Sequence, residues 1–376
     1  MTSGKRRALW KGRDRCLDDE TTTHRRRRHH CRHQQDNNAD TKAKKTKSEG
    51  KNYSLMTFDE VPEYMKDNEF IRKYYRGEWP LKQVLFSLFQ WHNETLNIWT
   101  HLLGFALFLG LIVVNLVHVP QVVDLFGIFR SFPKGAEMNV SHDSKSLLMG
   151  TTKLLNLKSI NHPGYNYVPM EMAAARWPFY IFLSGSVFCL LSSSLCHLFS
   201  CHSYNLSMQL LRMDYVGISV MIITSFFPPI YYIFQCEPHW QIIYLSGITL
   251  MGTFTVVTLY SPTLSSGKYR GFRAILFTSM GLFGLIPAVH TSIMNWDNPK
   301  RNMILAYELF MALFYLAGTG FYVTRIPERF KPGWFDIAGH SHQIFHVFVI
   351  MGALAHYGAA LIFLDYRDIV GCDSSL

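Results

Sequence analysis

Seven stretches of about 20 residues contain almost no charged side chain, in a chain whose charged fraction is only 17%. An α-helix needs about that length to cross a roughly 30 Å hydrocarbon core at 1.5 Å per residue, so the missing charge argues against a soluble domain. The seven cysteines form no CxxC pair, which leaves neither a disulfide framework nor a Cys-based zinc finger in view. The N-terminus lacks the apolar core of a cleavable leader, and targeting is expected to fall to the first span. Residues 1–54 are also poor in large apolar side chains. Such a segment cannot bury enough surface to offset its ordering entropy.

That first segment is instead rich in cations, among them Arg25 to Arg28, Arg32, Lys42, Lys44, Lys45 and Lys47, in a chain of net charge +10. It reads as a disordered basic cytosolic arm. The other reading is a nuclear-localisation or anionic-lipid-binding tract. From Leu55 the texture changes. Val61, Tyr64, Met65, Phe70, Ile71, Tyr74 and Tyr75 alternate with Glu63, Lys66, Asp67, Arg72 and Lys73. Residues 55–96 are therefore expected to form an amphipathic juxtamembrane segment, lying on the membrane or folding under the bundle.

The apolar runs predict an all-α membrane protein, a seven-transmembrane-helix bundle over 97–364. Its spans fall at 97–117, 177–199, 212–234, 240–260, 272–294, 303–323 and 341–364. Trp99, Trp177, Trp240 and Trp296 fall at or near span ends, as an interfacial belt requires. Pro228, Pro229 and Pro287 lie inside spans and predict kinks. Arg212, Lys268, Arg270, Arg273, Arg325, Arg329 and Lys331 collect on one side, against Lys300, Arg301 and Arg367 on the other. The positive-inside rule then places the N-terminus in the cytosol and the C-terminus outside, with a long outer segment at 118–176 and a short outer tail at 365–376. Asn139 is a glycosylation acceptor in the right compartment. Asn93 and Asn205 match the same pattern on the wrong side. Cys236 and Cys372 both fall outside and are candidates to pair.

Ionisable groups inside spans are costly and are functional candidates by default. His197 ends span two, Asp214 begins span three, and His342 and His346 open span seven. The alternating direction of the spans brings all four to one depth near the cytosolic face. His342 and His346 stand four apart, on one face of a helix, a spacing that lets two imidazoles grip one ion. A third histidine gives three protein ligands with a fourth position open, the arrangement of a catalytic zinc. Asp214 would hold the bound water or act as general base. His340 is an alternative ligand, but its place two residues from His342 points it to another helix face. His101, His290 and His356, in spans one, five and seven, lie near the opposite side or without a partner at matching depth, and read as structural.

These stretches resemble the progestin and adiponectin-receptor family, most closely its plant heptahelical branch. The resemblance rests on VPEYMKDNEFIRKYYR (61–76), HNETLNIWTHLLGF (92–105), SSLCHLFSCHS (193–203), RMDYVGI (212–218), SFFPPIYYIFQC (225–236) and PERFKPGWFDIAGHSHQIFHVF (327–348). It implies seven helices around a Zn2+ held by His197, His342 and His346 near the cytosolic side. It also implies that Asp214 holds the zinc-bound water and that Ser193 stands one turn before the first ligand. The wider superfamily is similar to alkaline ceramidases, and the plant members resemble stress- and hormone-responsive membrane proteins. The 118–176 segment is longer than the family pattern, with extra sequence around 132–171.

Two functions follow as expectations. One is zinc-dependent hydrolysis of a ceramide-like lipid amide, with Asp214 and Ser193 as catalytic residues. The other is a receptor-like protein or non-catalytic signalling scaffold, in which structural zinc ties spans two, three and seven together. A metal or proton transporter fits less well, because the polar groups gather at one depth. The expected partners are membrane lipids and cytosolic signalling proteins rather than nucleic acid, in the plasma membrane or an endomembrane.

Overall fold

The computed structural model describes residues 53–118 and 174–370, except 266, 297 and 299. Most of the basic arm, most of the long outer segment with Asn139, and Cys372 lie outside the described residues. Seven helices are long and apolar enough to cross a membrane: Thr95–Val117, Trp177–Phe199, Tyr204–Ile233, Pro238–Leu259, Gly267–Met294, Arg301–Thr324 and Ser341–Ile369. They are spans one to seven. Among the described residues the only β pairing is an isolated bridge between Met56 and Tyr75. An all-α build is what a bilayer demands, because a helix satisfies its own backbone amides where water is absent.

Two helix ends depart from expectation. Span three begins at Tyr204, about two turns before 212, and the last helix runs on to Val370, through part of the expected tail. Apolarity marks what the bilayer covers, whereas the backbone ladder continues into polar turns on either side. Cys236 is disulfide-bonded.

The expected kinks are present. Span three is interrupted at Phe226, just before Pro228 and Pro229, and span five at Gly284, before Pro287. Proline has no N–H to offer the carbonyl four residues back. For Pro229 that carbonyl belongs to Ser225, and His356 Nε2 of span seven lies 2.8 Å from it. His356 Nδ1 faces Glu308 of span six at 3.1 Å. The histidine thus substitutes for the missing amide and ties spans three, six and seven together.

Spans two and three meet at close range. A Cβ built on Gly217 would stand 2.3 Å from Ser192 Oγ and 3.1 Å from the Cys189 backbone, so only glycine fits this crossing. Gly217 lies one turn beyond Asp214, and the crossing draws that carboxylate toward span two. Phe108, Phe182, Leu183, Leu190 and Ala353 fill the core between spans one, two and seven. Span six packs chiefly along span seven.

Of the two positions open to the juxtamembrane segment, it takes the one under the bundle. Trp79 and Val84 pack against Ile98, Leu198 and Cys201. Arg76, fully buried, donates to the carbonyls of His197 (2.7 Å) and Leu198 (2.9 Å) and to Ser87 Oγ (2.8 Å). The last carbonyls of span two therefore find a cation rather than water, a favourable partner for a helix C-terminus. Asn68 and Arg72 bond to Glu328 and Asp336 in the turn before span seven.

The kink generates a double-mutant test. His356→Phe should lower stability by about 1–3 kcal/mol, the cost of leaving a buried carbonyl without a donor. In a Pro229→Ala background, where an amide is restored, the same change should cost clearly less. Thermal unfolding of the purified protein in detergent measures both. Equal losses would mean that His356 acts elsewhere.

Candidate metal centre

The three histidines singled out by spacing meet. His197, His342 and His346 each offer a nitrogen, and these atoms lie within 4.8 Å of one another. His197 Nε2 and His342 Nε2 are 3.2 Å apart. Ligands at about 2.0–2.1 Å in a tetrahedron stand roughly 3.3–3.4 Å apart, so this separation already suits one ion. Without an ion, the same separation is that of an N–H···N hydrogen bond between the two rings.

Span one decides which nitrogens face the centre. Glu94 Oε2 lies 2.7 Å from His197 Nδ1 and accepts a second bond, of 2.6 Å, from Asn97 Nδ2. A carboxylate only accepts, so Nδ1 of His197 carries the proton and Nε2 presents a lone pair. His346 is set in the same way. Its Nδ1 lies 3.2 Å from the Asn97 carbonyl and 3.2 Å from Thr100 Oγ1, whose own hydroxyl donates to Leu96 O at 2.7 Å. Nδ1 is again the donor and Nε2 is left for a metal. Histidines that ligate metals characteristically give their other N–H to a carboxylate or a carbonyl, and both acceptors are here.

The stretch HNET builds the turn that aims Glu94. Burial, with Arg76 beside it, pushes the His92 imidazole down to about 3, so the ring is neutral at pH 7. Its Nε2 donates to Ser87 O at 3.2 Å and its Nδ1 accepts from the Glu94 amide at 3.1 Å. Thr95 Oγ1 accepts from the His92 amide and donates to Gln90 O. Burial would raise the Glu94 carboxyl, but His197 and Asn97 outweigh it and hold it below the usual carboxylate range. At the start of span seven, Glu328 accepts from the Ser341 amide (2.8 Å) and the Ser341 hydroxyl. A carboxylate there complements the helix dipole and fixes the register of His342.

Asp214 of span three and Ser193 of span two face one another's helices near the crossing. Both line a cavity of about 390 Å³ that also touches His342 and His346 and extends past Met221, Phe277 and Met311 to Arg301. Such a volume is in the range of a small-ligand site. His340 stays apart, facing the Asn93 carbonyl at 3.5 Å. His290 pairs with Tyr244 and His356 with Glu308, as structural residues do.

His101 corrects the expectation. It lies at the depth of the cluster, stacked on His346 with ring centroids 3.6 Å apart and planes within 9°. Neither Glu94, Asn97, Thr100 nor Arg76 stood out in the sequence. A signal was present, however. Asn93 and Glu94 just before the span, and Thr95, Asn97, Thr100 and His101 in its first two turns, crowd the start of an otherwise apolar stretch, where polar groups are costly.

A family profile described as haemolysin-III related matches residues 89–357. The chain is 56% identical over 322 residues to "Heptahelical transmembrane protein 1" of Arabidopsis thaliana, covering 86% of this chain and 85% of the relative. It is 55% identical over 326 residues to "Heptahelical transmembrane protein ADIPOR1" of Oryza sativa subsp. japonica, with 85% and 86% covered. It is also 32% identical over 307 residues to "Adiponectin receptor protein" of Drosophila melanogaster, with 81% and 58% covered.

Metal content should follow these contacts. His342→Ala with His346→Ala should strip the ion and lower thermal stability, since metal bound only by the folded state stabilises it. Glu94→Gln should keep all three ligands yet weaken binding by about 10–100-fold, the usual effect of removing a ligand's supporting partner. Elemental analysis after dialysis against graded chelator reads both. An unchanged metal content in the double variant would place the ion elsewhere.

Proposed function

The chain belongs to the haemolysin-III-related family, as a seven-helix membrane protein of the adiponectin-receptor kind, and on that premise we propose that its histidine cluster holds zinc and hydrolyses a lipid amide such as a ceramide. The observation that carries the reading is the placement of Asp214 and Ser193 with His342 and His346 in the wall of one largely apolar cavity. Three histidines leave a fourth position open, whereas a structural zinc is usually closed by four protein ligands. Bound there, zinc would supply Lewis-acid polarisation of the amide carbonyl and a water acidic enough to ionise near neutral pH.

The chain's own residues supply the rest. Asp214 accepts a proton from the attacking water and returns it to the leaving amine nitrogen, which cannot depart as an anion. The Ser193 hydroxyl, one turn before His197, orients that carboxylate. Glu94 and Asn97 keep His197 and His346 in the tautomers that face the centre. Ile218, Met221, Ile222, Phe277 and Met311 offer an acyl chain an apolar wall, so the polar end of the lipid is directed to the histidines. The basic-side bias of Lys and Arg supports a cytosolic position for this end of the bundle. Stress or hormone signalling through cytosolic partners would then follow from the released lipid.

Asp214→Asn separates catalysis from scaffolding. Asparagine keeps the shape and can hydrogen-bond, but it is no base. The variant should retain zinc and lose lipid hydrolysis by roughly 10²–10⁴-fold. The assay is zinc content together with fatty acid released from a ceramide series by protein purified in detergent. If wild type releases no more fatty acid than a zinc-stripped control, the hydrolase reading fails, and a scaffold with structural zinc takes its place.

A further inference from the structure

A second cavity, of about 340 Å³, opens at the histidine end of the bundle between the start of span five and the end of span six. None of the three clustered histidines lines it. Its charged walls are Glu69, Lys268, Arg270, Arg325 and Arg329. The fold holds two of these cations in place. Arg270 is 4% exposed, donates to the Tyr322 carbonyl at 3.2 Å and pairs with Asp67. Arg325 ends the span-six helix in the left-handed region, at φ 57°, and pairs with Glu69. Lys268 and Arg329 are exposed, and among the described residues neither has an ion-pair partner.

The charges do not cancel. Four cations face two carboxylates, Asp67 and Glu69, which leaves an excess of two positive charges around one concavity. A phosphomonoester carries about −1.5 to −2 at pH 7 and three strong acceptor oxygens, so one such group balances the site. The Arg329 guanidinium fork matches its geometry. A zwitterionic choline headgroup brings no net charge and leaves the excess in place.

Position selects the source of that phosphate. Span five starts at Gly267 and span six ends at Thr324, so the cavity stands at the edge of the hydrocarbon layer. Val323, 42% exposed, forms part of its wall. The turn after Arg329 presents Phe330 and Trp334, 73% and 76% exposed, and is tied to the cavity wall by a 3.0 Å bond from the Gly333 amide to the Phe70 carbonyl. Aromatic side chains so placed suit the headgroup layer of a bilayer.

We propose that this cavity binds the phosphomonoester headgroup of an anionic membrane lipid, with Lys268 and Arg329 closing on the phosphate and the paired Arg270 and Arg325 forming the wall behind them. The site is separate from the histidine cluster, and it stands whether or not the cluster hydrolyses lipid. Basic residues near an anionic membrane surface each contribute about fivefold to binding, so two should contribute roughly thirtyfold.

The test uses the full-length protein in detergent, with dioctanoyl phosphatidylinositol 4-phosphate as probe, measured by thermophoresis at fixed salt. Dioctanoyl phosphatidylcholine and inorganic phosphate serve as controls. The phosphoinositide should bind at least about tenfold more tightly than either control, and Lys268→Gln with Arg329→Gln should weaken it roughly thirtyfold. Zinc content and thermal unfolding should not move, because neither side chain supports the fold. Should the double variant fail to fold, Arg329→Glu alone carries the same expectation of weaker binding. Equal binding of the choline lipid, or no loss in the variants, overturns the site. Inorganic phosphate binding as tightly as the phosphoinositide overturns its assignment to a lipid.

Discussion

The hydrogen bond from His197 Nδ1 to the Glu94 carboxylate is the contact on which the site depends. It carries the proton to the outer nitrogen of the imidazole and so turns the lone pair inward, toward His342. Asn97 serves twice, its side chain steadying Glu94 and its carbonyl accepting from His346. Both settings come from the first turn of span one, although no ligand lies on that span. In water such a bond would be replaceable. Within a bilayer an unmet imidazole or carboxylate has no solvent to fall back on, so the ring orientations are held.

The same constraint explains features that look unrelated. Pro229 frees a carbonyl at Ser225, and His356 answers it. The carbonyls at the end of span two meet Arg76, and the amide that opens span seven meets Glu328. These polar groups, left over by a helix end or a kink, are matched by a side chain from another span, from the turn before span seven or from the segment beneath. That segment, 53–94, thereby becomes part of the membrane domain. It supplies Arg76 and Glu94 to the histidine cluster and Asp67 and Glu69 to the basic cavity.

The sequence made the ligands legible and left their supports dark, for a physical reason. Span count follows from apolar length. His342 and His346 follow from helical period, and His197 and Asp214 from the alternating direction of the spans. Each of those inferences needs only local pattern and topology. The Glu94–His197 contact joins residues 94 and 197 across two helices, and nothing in local periodicity fixes the rotation of one helix about its axis relative to another. His101 was misplaced for that reason: its depth was readable, but its stacking on His346 depends on how span one turns toward span seven. The start of span three at Tyr204 was missed on different grounds, since hydropathy reports bilayer contact and not helix length.

The histidine cluster thus stands at one end of an apolar cavity, two of its three rings held in a fixed tautomer, within a family of seven-helix receptor-like proteins. The most direct measurement of the central claim is X-ray absorption at the zinc edge on the full-length protein, purified without added metal. The account predicts zinc near one equivalent, with three imidazole nitrogens and one further light atom at about 2.0–2.1 Å. Zinc coordinated by sulfur at about 2.3 Å, or protein that folds and unfolds cooperatively without any metal, would contradict it.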